Sequence, residues 1–301
     1  MAKLSVITSM YNRSTEVLSA IDNLFFPSLL NNGNSGTEVI IIDDCSPLEN
    51  ETKAIVEKYL PDLKRRFGNV DFIRNASNLG FAKSFNKGLI LAGGEKSVVV
   101  NDDLYFPQNS LAGLAATLDE PEGYLIAGPI TNASSSWSYQ YCKQAPQLES
   151  YALAEIEKLE RFARWLLMVM KGRRMTTDNL CGFCFAADAV FLKKIGGFNE
   201  RYGYYGFFED TDLVQRIARE CGEKKIAVNL EVFIGHGGVK GTSRTMLQQP
   251  LKMACALLVN GFKYANDWGY GKLLKRIIYG NWSQLTGKGT ISELLPKKID
   301  L

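Results

Sequence analysis

Two periods of hydrophobic and polar positions alternate along the first hundred residues. Leu4-Ser5-Val6-Ile7-Thr8 reads as a strand, and residues 15–30 carry helical spacing. Val39 to Ile42 is a run of β-branched residues, which predicts a buried parallel strand. A helix follows over Glu51 to Phe67, then a strand over Val70 to Arg74, a helix over Ala82 to Ala92, and a strand over Ser97 to Val100. Strands separated by helices of this length predict βαβ units and a mostly parallel sheet with helices on its faces.

In such sheets ligands bind beyond the carboxyl ends of the strands. The first strand is followed by Ser9-Met10-Tyr11-Asn12-Arg13, the second by Asp43-Asp44-Cys45-Ser46-Pro47 and the fourth by Asn101-Asp102-Asp103. Two acidic pairs on one rim repel unless a cation or donor groups offset them. A cap on the next helix is an alternative reading for Asp43 or Asp44. Two adjacent carboxylates at 102 and 103 exceed what one cap needs.

Farther along, Glu157 to Arg174 reads as a helix. Its apolar positions Leu159, Phe162, Ala163, Leu166, Leu167 and Met170 are interleaved with Lys158, Arg161, Arg164, Lys171, Arg173 and Arg174. That pattern fits an amphipathic helix with a solvated face, or a basic face toward anionic lipid or a lipid-diphosphate acceptor. Aromatic residues crowd at Tyr202, Tyr204, Tyr205, Phe207 and Phe208, suited to core packing or to stacking on a sugar. Glu209-Asp210-Thr211-Asp212 opens a helix with Leu213, Ile217 and Ala218 on its apolar stripe. Acidic residues are favourable at a helix N-terminus in their own right. A strand over Ile226 to Ile234 leads to His236, which sits among Gly235, Gly237 and Gly238, with Lys240, Ser243 and Arg244 beyond as candidate phosphate contacts. From Met246 to Tyr279 helical periodicity places Leu251, Ala254, Leu258, Phe262 and Ala265 on one stripe, with Lys252, Lys263, Lys272, Lys275 and Arg276 interleaved and Trp268, Tyr270 and Tyr279 nearby. This segment is expected to pack on the preceding domain or on a second subunit as a homodimer, or to dock on a membrane surface.

Composition narrows the class. The 301 residues are 46% hydrophobic and 22% charged, as in a soluble globular enzyme. Lys and Arg number 35 against 32 Asp and Glu, and a net charge of +3 gives no footprint for nucleic acid. The longest hydrophobic run, Met253 to Val259, is far short of the roughly 20 residues that span a bilayer. Residues 1–3 lead straight into a strand, without the pattern of a signal peptide. Without an export signal a disulfide framework is not expected, and Cys181 and Cys184 form a lone C-x-x-C in a chain with one His, too little for a structural zinc site. No G-x-G-x-x-G follows the first strand and no P-loop is present, which counts against a dehydrogenase and a P-loop kinase.

Five ordered pieces resemble the family 2 glycosyltransferases of GT-A fold: Val6-Ile7-Thr8-Ser9-Met10-Tyr11-Asn12-Arg13, Ile41-Ile42-Asp43-Asp44-Cys45-Ser46, Asn78-Leu79-Gly80-Phe81-Ala82 with Asn86-Lys87-Gly88, Val100-Asn101-Asp102-Asp103, and Phe208-Glu209-Asp210-Thr211-Asp212-Leu213. The third piece and the later His are similar to bacterial rhamnosyltransferase-type and galactofuranosyltransferase-type enzymes. The resemblance implies a Rossmann-like α/β/α sandwich with a C-terminal helical extension. It divides the chain into a nucleotide-sugar-binding half over 1–105, an acceptor-binding and catalytic half over 106–245, and a C-terminal helical region over 246–301. It implies donor contacts at Thr8, Tyr11, Asp44, Asn78, Lys83 and Asp102, with Asp44 accepting from a pyrimidine N–H. It also implies a divalent Mn2+ or Mg2+ on Asp103 with His236, a catalytic base at Asp210, and Glu209 beside it. Cys45 stands where the family usually has Gly, so the turn there must accommodate a Cβ.

The expected activity is inverting, metal-dependent transfer of a hexosyl or deoxyhexosyl group from a UDP- or dTDP-sugar. The acceptor is a hydroxyl of a glycan or lipid-linked molecule in cell-surface polysaccharide biosynthesis. The expected location is the cytoplasm, either free or peripheral on the inner membrane face. Two rivals are a sugar nucleotidyltransferase and a non-catalytic nucleotide-sugar-binding protein. The absence of Gly from residues 4–13 counts against the first, and the intact base and metal candidates against the second.

Overall fold

The computed structural model describes residues 3–12, 14–133, 139–203, 207–237, 250–274 and 291–296. Its centre is an eight-stranded sheet. The strands are β1 (Leu4–Met10), β2 (Thr37–Asp43), β3 (Asn69–Arg74), β4 (Lys96–Val100), β6 (Ile126–Ile130), β7 (Arg174–Thr176), β8 (Cys184–Asp188) and β9 (Ile226–Phe233), in the order β3-β2-β1-β4-β8-β6-β9-β7. Its N-terminal half is parallel throughout, as is the β6–β9 pair, while β8 and β7 run antiparallel to their neighbours. A second, two-stranded ladder joins β5 (Leu104–Tyr105) to β10 (Gly235–His236).

Side chains alternate across the sheet, so each strand feeds two cores. Val6, Val39, Ile41 and Val98 face one layer, built from a helical segment over Thr15–Leu30 with α3 (Glu49–Arg66) and α5 (Ser110–Ala116). Ile7, Ile40, Ile42 and Val99 face the other, built from α4 (Phe81–Leu91), α6 (Leu153–Val169), α7 (Ala189–Lys194) and α8 (Glu209–Cys221). This is the α/β/α sandwich of the GT-A fold, and all seven residues of β2 are buried in it, as the β-branched run requires.

The helical segment over 15–30 consists of α1 (Thr15–Ala20), a π turn (Ile21–Phe25) and α2 (Phe26–Leu30). The wide turn ends two residues before Pro27, which lacks the N–H that would continue the helical ladder. The helix expected over Glu157 to Arg174 instead spans Leu153–Val169. Arg174 therefore belongs to no basic helical face. It sits in β7, held between Glu120 and Glu231 at 2.6 and 2.7 Å.

The C-terminal helix α9 (Pro250–Trp268) continues after Gly269 into helical turns over 270–274. Of the expected stripe Ala265 is buried, while Leu251, Ala254, Leu258 and Phe262 are exposed. Asn260 and Tyr264 are buried beside Ala265. No helix among the described residues is long and apolar enough to cross a membrane.

Gly88 shows how tightly α4 sits on β1: a Cβ there would come within 2.4 Å of Ile7 Cγ2. Gly88→Ala should lower stability by about 1–3 kcal/mol through overpacking. The intrinsic helix preference of Ala over Gly, roughly 1 kcal/mol, acts in the opposite direction. Urea unfolding measures the sign directly, and a variant as stable as the parent or more so would refute the close α4–β1 contact.

Candidate active site

Asp102 and Asp103 lie in the turn after β4 and lead into β5, where the ladder sets Leu104 opposite His236. The register brings His236 Nε2 to 3.2 Å from Asp103 Oδ1, and Gly237 N–H donates to the Asp103 carbonyl at 2.7 Å. The imidazole is fixed on every side. Its Nδ1 lies 2.7 Å from the Ala133 carbonyl, its backbone N–H donates to Asn132 Oδ1 at 2.7 Å, and the Phe183 ring stacks on it at 5.5 Å. Burial pushes the Asp102 carboxyl up to about 8, helped by the Asp103 charge. Burial works against the imidazolium of His236. The charge and hydrogen bond of Asp103, the Ala133 carbonyl and Asp102 outweigh it and raise the ring to about 9. Two carboxylates and one imidazole thus share a half-buried corner in which positive charge is favoured.

The second acidic cluster opens α8. Phe207 and Phe208 both adopt left-handed backbone, with φ of 75° and 73°. For L-residues this conformation costs about 1–2 kcal/mol each, and strain of this kind collects at functional sites. Glu209 and Asp210 follow at once. Asp210 is half-buried and its Oδ2 accepts from Gly182 N–H at 2.8 Å, while its Oδ1 accepts from Thr211 N–H at 2.7 Å. A Cβ on residue 182 would lie 2.8 Å from Asp210 Cβ, so only Gly permits the approach. Burial and the neighbouring Asp210 charge hold the Glu209 carboxyl up at about 8, and its Oε2 is buried without a hydrogen-bond partner among the described residues. Gly182 and Phe183 are consecutive, so one short strap touches both Asp210 and His236. The run Leu180 to Phe198 is small and apolar and resembles the family's acceptor-side entry, but nothing in it signals either contact.

At the carboxyl ends of β1 and β2, Thr8 is fully buried with an unpartnered hydroxyl among the described residues, and Tyr11 is half-buried just past the strand. Asp44 Oδ1 accepts from Asn75 Nδ2 at 2.9 Å and Leu79 N–H at 2.8 Å, and Oδ2 from Gly80 N–H at 2.8 Å. Asn75 in turn accepts from Lys87 Nζ at 2.7 Å. The second and third motifs are therefore one hydrogen-bonded unit, in which Asn78 accepts from Gly80 N–H at 3.0 Å, and Lys83 is the exposed residue of the first turn of α4. Asp43 is bonded to Arg74 and accepts from Ser46 N–H at 2.9 Å. Cys45, at φ 60°, makes the left-handed turn with a Cβ in place. Lys240, Ser243, Arg244, Tyr204 and Tyr205 lie outside the described residues.

The sequence profile of glycosyl transferase family 2 matches residues 5–196. The chain belongs to this family. The match ends before α8 and His236, so their place in this family 2 protein rests on the geometry above. A sequence comparison with curated proteins finds no significant match.

Solved structures of similar fold include the mannosyltransferase PcManGT from Pyrobaculum calidifontis in complex with GDP-Man and Mn2+, at TM-score 0.53 and 15% identity over 95% of this chain and 88% of that one. Residues 1–349 of S. aureus TarS align at TM-score 0.51 and 19% identity over 97% and 77%. GalNAc-T7 with UDP, GalNAc and Mn2+ aligns at TM-score 0.51 and 15% identity over 78% of this chain and 44% of that longer one.

Among the described residues of this glycosyltransferase, no group of three His, Cys, Asp or Glu side chains surrounds a single metal position. Asp103 and His236 nonetheless fit a divalent cation. Mg2+ and ions like it are held by one or two carboxylates together with substrate phosphates and water. An imidazole nitrogen beside the hard oxygens leans toward Mn2+. The Nε2 proton of His236 and such a cation are alternative ways of offsetting the same carboxylates.

Glu209 yields a signed prediction. Its folded value of about 8 exceeds its ordinary 4.5, so the native state holds the extra proton between those values. Its contribution to stability is present below pH 4.5 and is lost as pH rises through 8. Glu209→Gln should match the parent near pH 4.5 and gain on it steadily up to pH 8. Thermal unfolding across that range checks this, and parallel curves would contradict it.

Proposed function

We propose that this glycosyltransferase moves a hexosyl or deoxyhexosyl group, with inversion, from a UDP- or dTDP-sugar to a hydroxyl of a glycan or lipid-linked acceptor. The setting is cell-surface polysaccharide biosynthesis at the cytoplasmic side of the membrane. The observation that carries this reading is the strap of Gly182 and Phe183. It mounts a carboxylate, Asp210, and the Asp103–His236 pair on adjacent residues, which suits a reaction needing a base on one side and charge compensation on the other.

The donor lies over the carboxyl ends of β1, β2 and β4. Its base rests against Thr8 and Tyr11, on the wall that Asp44 stiffens through Asn75, Leu79 and Gly80, with Asn78 and Lys83 at the rim. Asp102 faces the ribose. A divalent cation, Mn2+ or Mg2+, would be held by Asp103 and His236 and supply positive charge for the donor diphosphate. That PcManGT and GalNAc-T7 were solved with Mn2+ supports this reading.

Asp210 acts as the general base. It accepts the proton of the acceptor hydroxyl as that oxygen attacks the anomeric carbon, and the nucleoside diphosphate departs from the opposite face. Gly182 N–H and Thr211 N–H hold the carboxylate in place, which keeps it aimed without a rearrangement at the moment of reaction. Glu209, neutral at pH 7, leaves the negative charge of the turn on its neighbour.

Asp210→Asn should cut turnover by about 10²–10⁴-fold while leaving metal-dependent nucleoside diphosphate affinity within twofold of the parent. Assay of the variant with the donor that turns over in a nucleotide-sugar panel, beside calorimetric titration of UDP with Mn2+, reads both quantities. Parental turnover in the variant would remove Asp210 from the base role. Asp103→Ala should abolish the Mn2+-dependent part of UDP affinity, and an unchanged dependence would move the cation elsewhere.

A further inference from the structure

The left-handed turn at Phe207 and Phe208 needs something to hold it, and the C-terminal helix does so. Phe208 stacks on Tyr264 of α9 at 5.2 Å, within a separate small core of Tyr202, Phe208 and Tyr264. Trp268, the last residue of α9, donates its indole N–H to Asp212 Oδ1 at 2.9 Å. Asp212 is almost fully buried, in the first turn of α8, two residues after Asp210. Its other oxygen accepts from Arg216 Nε at 2.7 Å, and Arg216 donates to the Ile195 and Gly197 carbonyls at 2.8 and 2.5 Å. The Trp268 ring is itself covered by Arg219, 4.8 Å from its centroid, and by Lys272, 5.4 Å away, whose ammonium also donates to Gln215 at 2.6 Å. On the far side of the turn, Asn260 Nδ2 donates to the Tyr202 carbonyl and Lys263 Nζ to the Arg201 carbonyl at 2.6 Å.

We infer that Trp268 is a positioning residue for Asp210, acting through Asp212, and that α9 is the outer half of the mount that carries the base. This rests on the reading of Asp210 given above. Among the described residues, α9 contributes none of the site groups named above. Its role is to fix the strained turn and the first turn of α8, so that Asp210 meets Gly182 and the acceptor hydroxyl in register. The donor wall is built from other elements, chiefly β1, β2, β4 and α4, so loosening the mount should leave donor binding alone.

Trp268→Phe keeps a ring under Arg219 and removes only the N–H donor. The full-length variant should lose about 10- to 100-fold in kcat, as expected for a catalytic group displaced by on the order of 1 Å. Donor KM and Mn2+-dependent UDP affinity should stay within twofold. Hydrogen exchange should speed up at backbone amides 208–213 and stay unchanged at 101–105. Leu258→Ala, on the outward face of the same helix, should leave kcat and exchange at the parental level. Unchanged exchange at 208–213 in Trp268→Phe overturns the inference whatever the activity shows. So does parental kcat, and so does a parallel loss of UDP affinity, which would indicate general loosening. Failure of the base assignment is read separately, from parental turnover in Asp210→Asn, and leaves the exchange comparison standing as the measure of the mount.

Discussion

Gly182 and Phe183 hold two chemical groups whose positions nothing local relates. The backbone N–H of Gly182 binds Asp210 on α8, and the ring of Phe183 covers His236 on β10. The Phe183 carbonyl also accepts from Asn101 N–H at 2.8 Å, immediately before Asp102 and Asp103. Three segments far apart in the chain are thus tied to a strap that enters β8 at the middle of the sheet. Because β8 pairs antiparallel with both β4 and β6, the strap emerges at the same edge as the carboxyl end of β4. Any shift of that strap moves the base and the cation corner together.

The two acidic clusters are made tolerable in different ways. Burial raises one carboxyl of each pair to about 8, Asp102 in one and Glu209 in the other. They differ in the second carboxylate: at Asp103 the compensation is external, an imidazolium in the free protein, or a divalent cation with a diphosphate. At Asp210 it is internal, since the carboxylate receives two backbone donors. The difference suits the two jobs. A corner that must accept a charged ligand needs exchangeable compensation. A base must stay negative and remain aimed, at the cost of a strained turn that the Tyr264–Phe208 stack and the Trp268–Asp212 bond hold in place.

Much of the N-terminal half was legible in the sequence. Runs such as Val39 to Ile42 admit little besides a strand buried on both faces, so β1 to β4 and α4 fall within about two residues of their expected bounds. The acidic residues after those strands then had to lie on one rim, and the resemblance to family 2 implied a joint role for Asp103 and His236, two residues that the β5–β10 ladder brings within 3.2 Å. What was not legible depends on contacts without a local signature. Periodicity in 157–174 looked the same whether the chain ended its helix at 169 or ran on, and Arg174 is claimed by Glu120 and Glu231, far away in sequence. In α9 the stripe of Leu251, Ala254, Leu258, Phe262 and Ala265 left open whether it packs on the domain, a second subunit or a membrane. Only Ala265 of it is buried, and the helix meets the domain through the Tyr264 stack and the hydrogen bonds of Asn260 and Trp268, polar contacts that periodicity does not signal.

The proposed division of labour between the two acidic clusters depends on where a divalent cation sits. Anomalous diffraction at the manganese edge, from crystals of the protein grown with Mn2+ and UDP, locates that ion without reference to activity. The predicted map has one strong peak in ligating range of the Asp103 carboxylate and the His236 imidazole, bridged to the diphosphate. A peak at Asp43 and Asp44, or at Glu209 and Asp210, or UDP bound with no manganese at the Asp103–His236 corner, would contradict it.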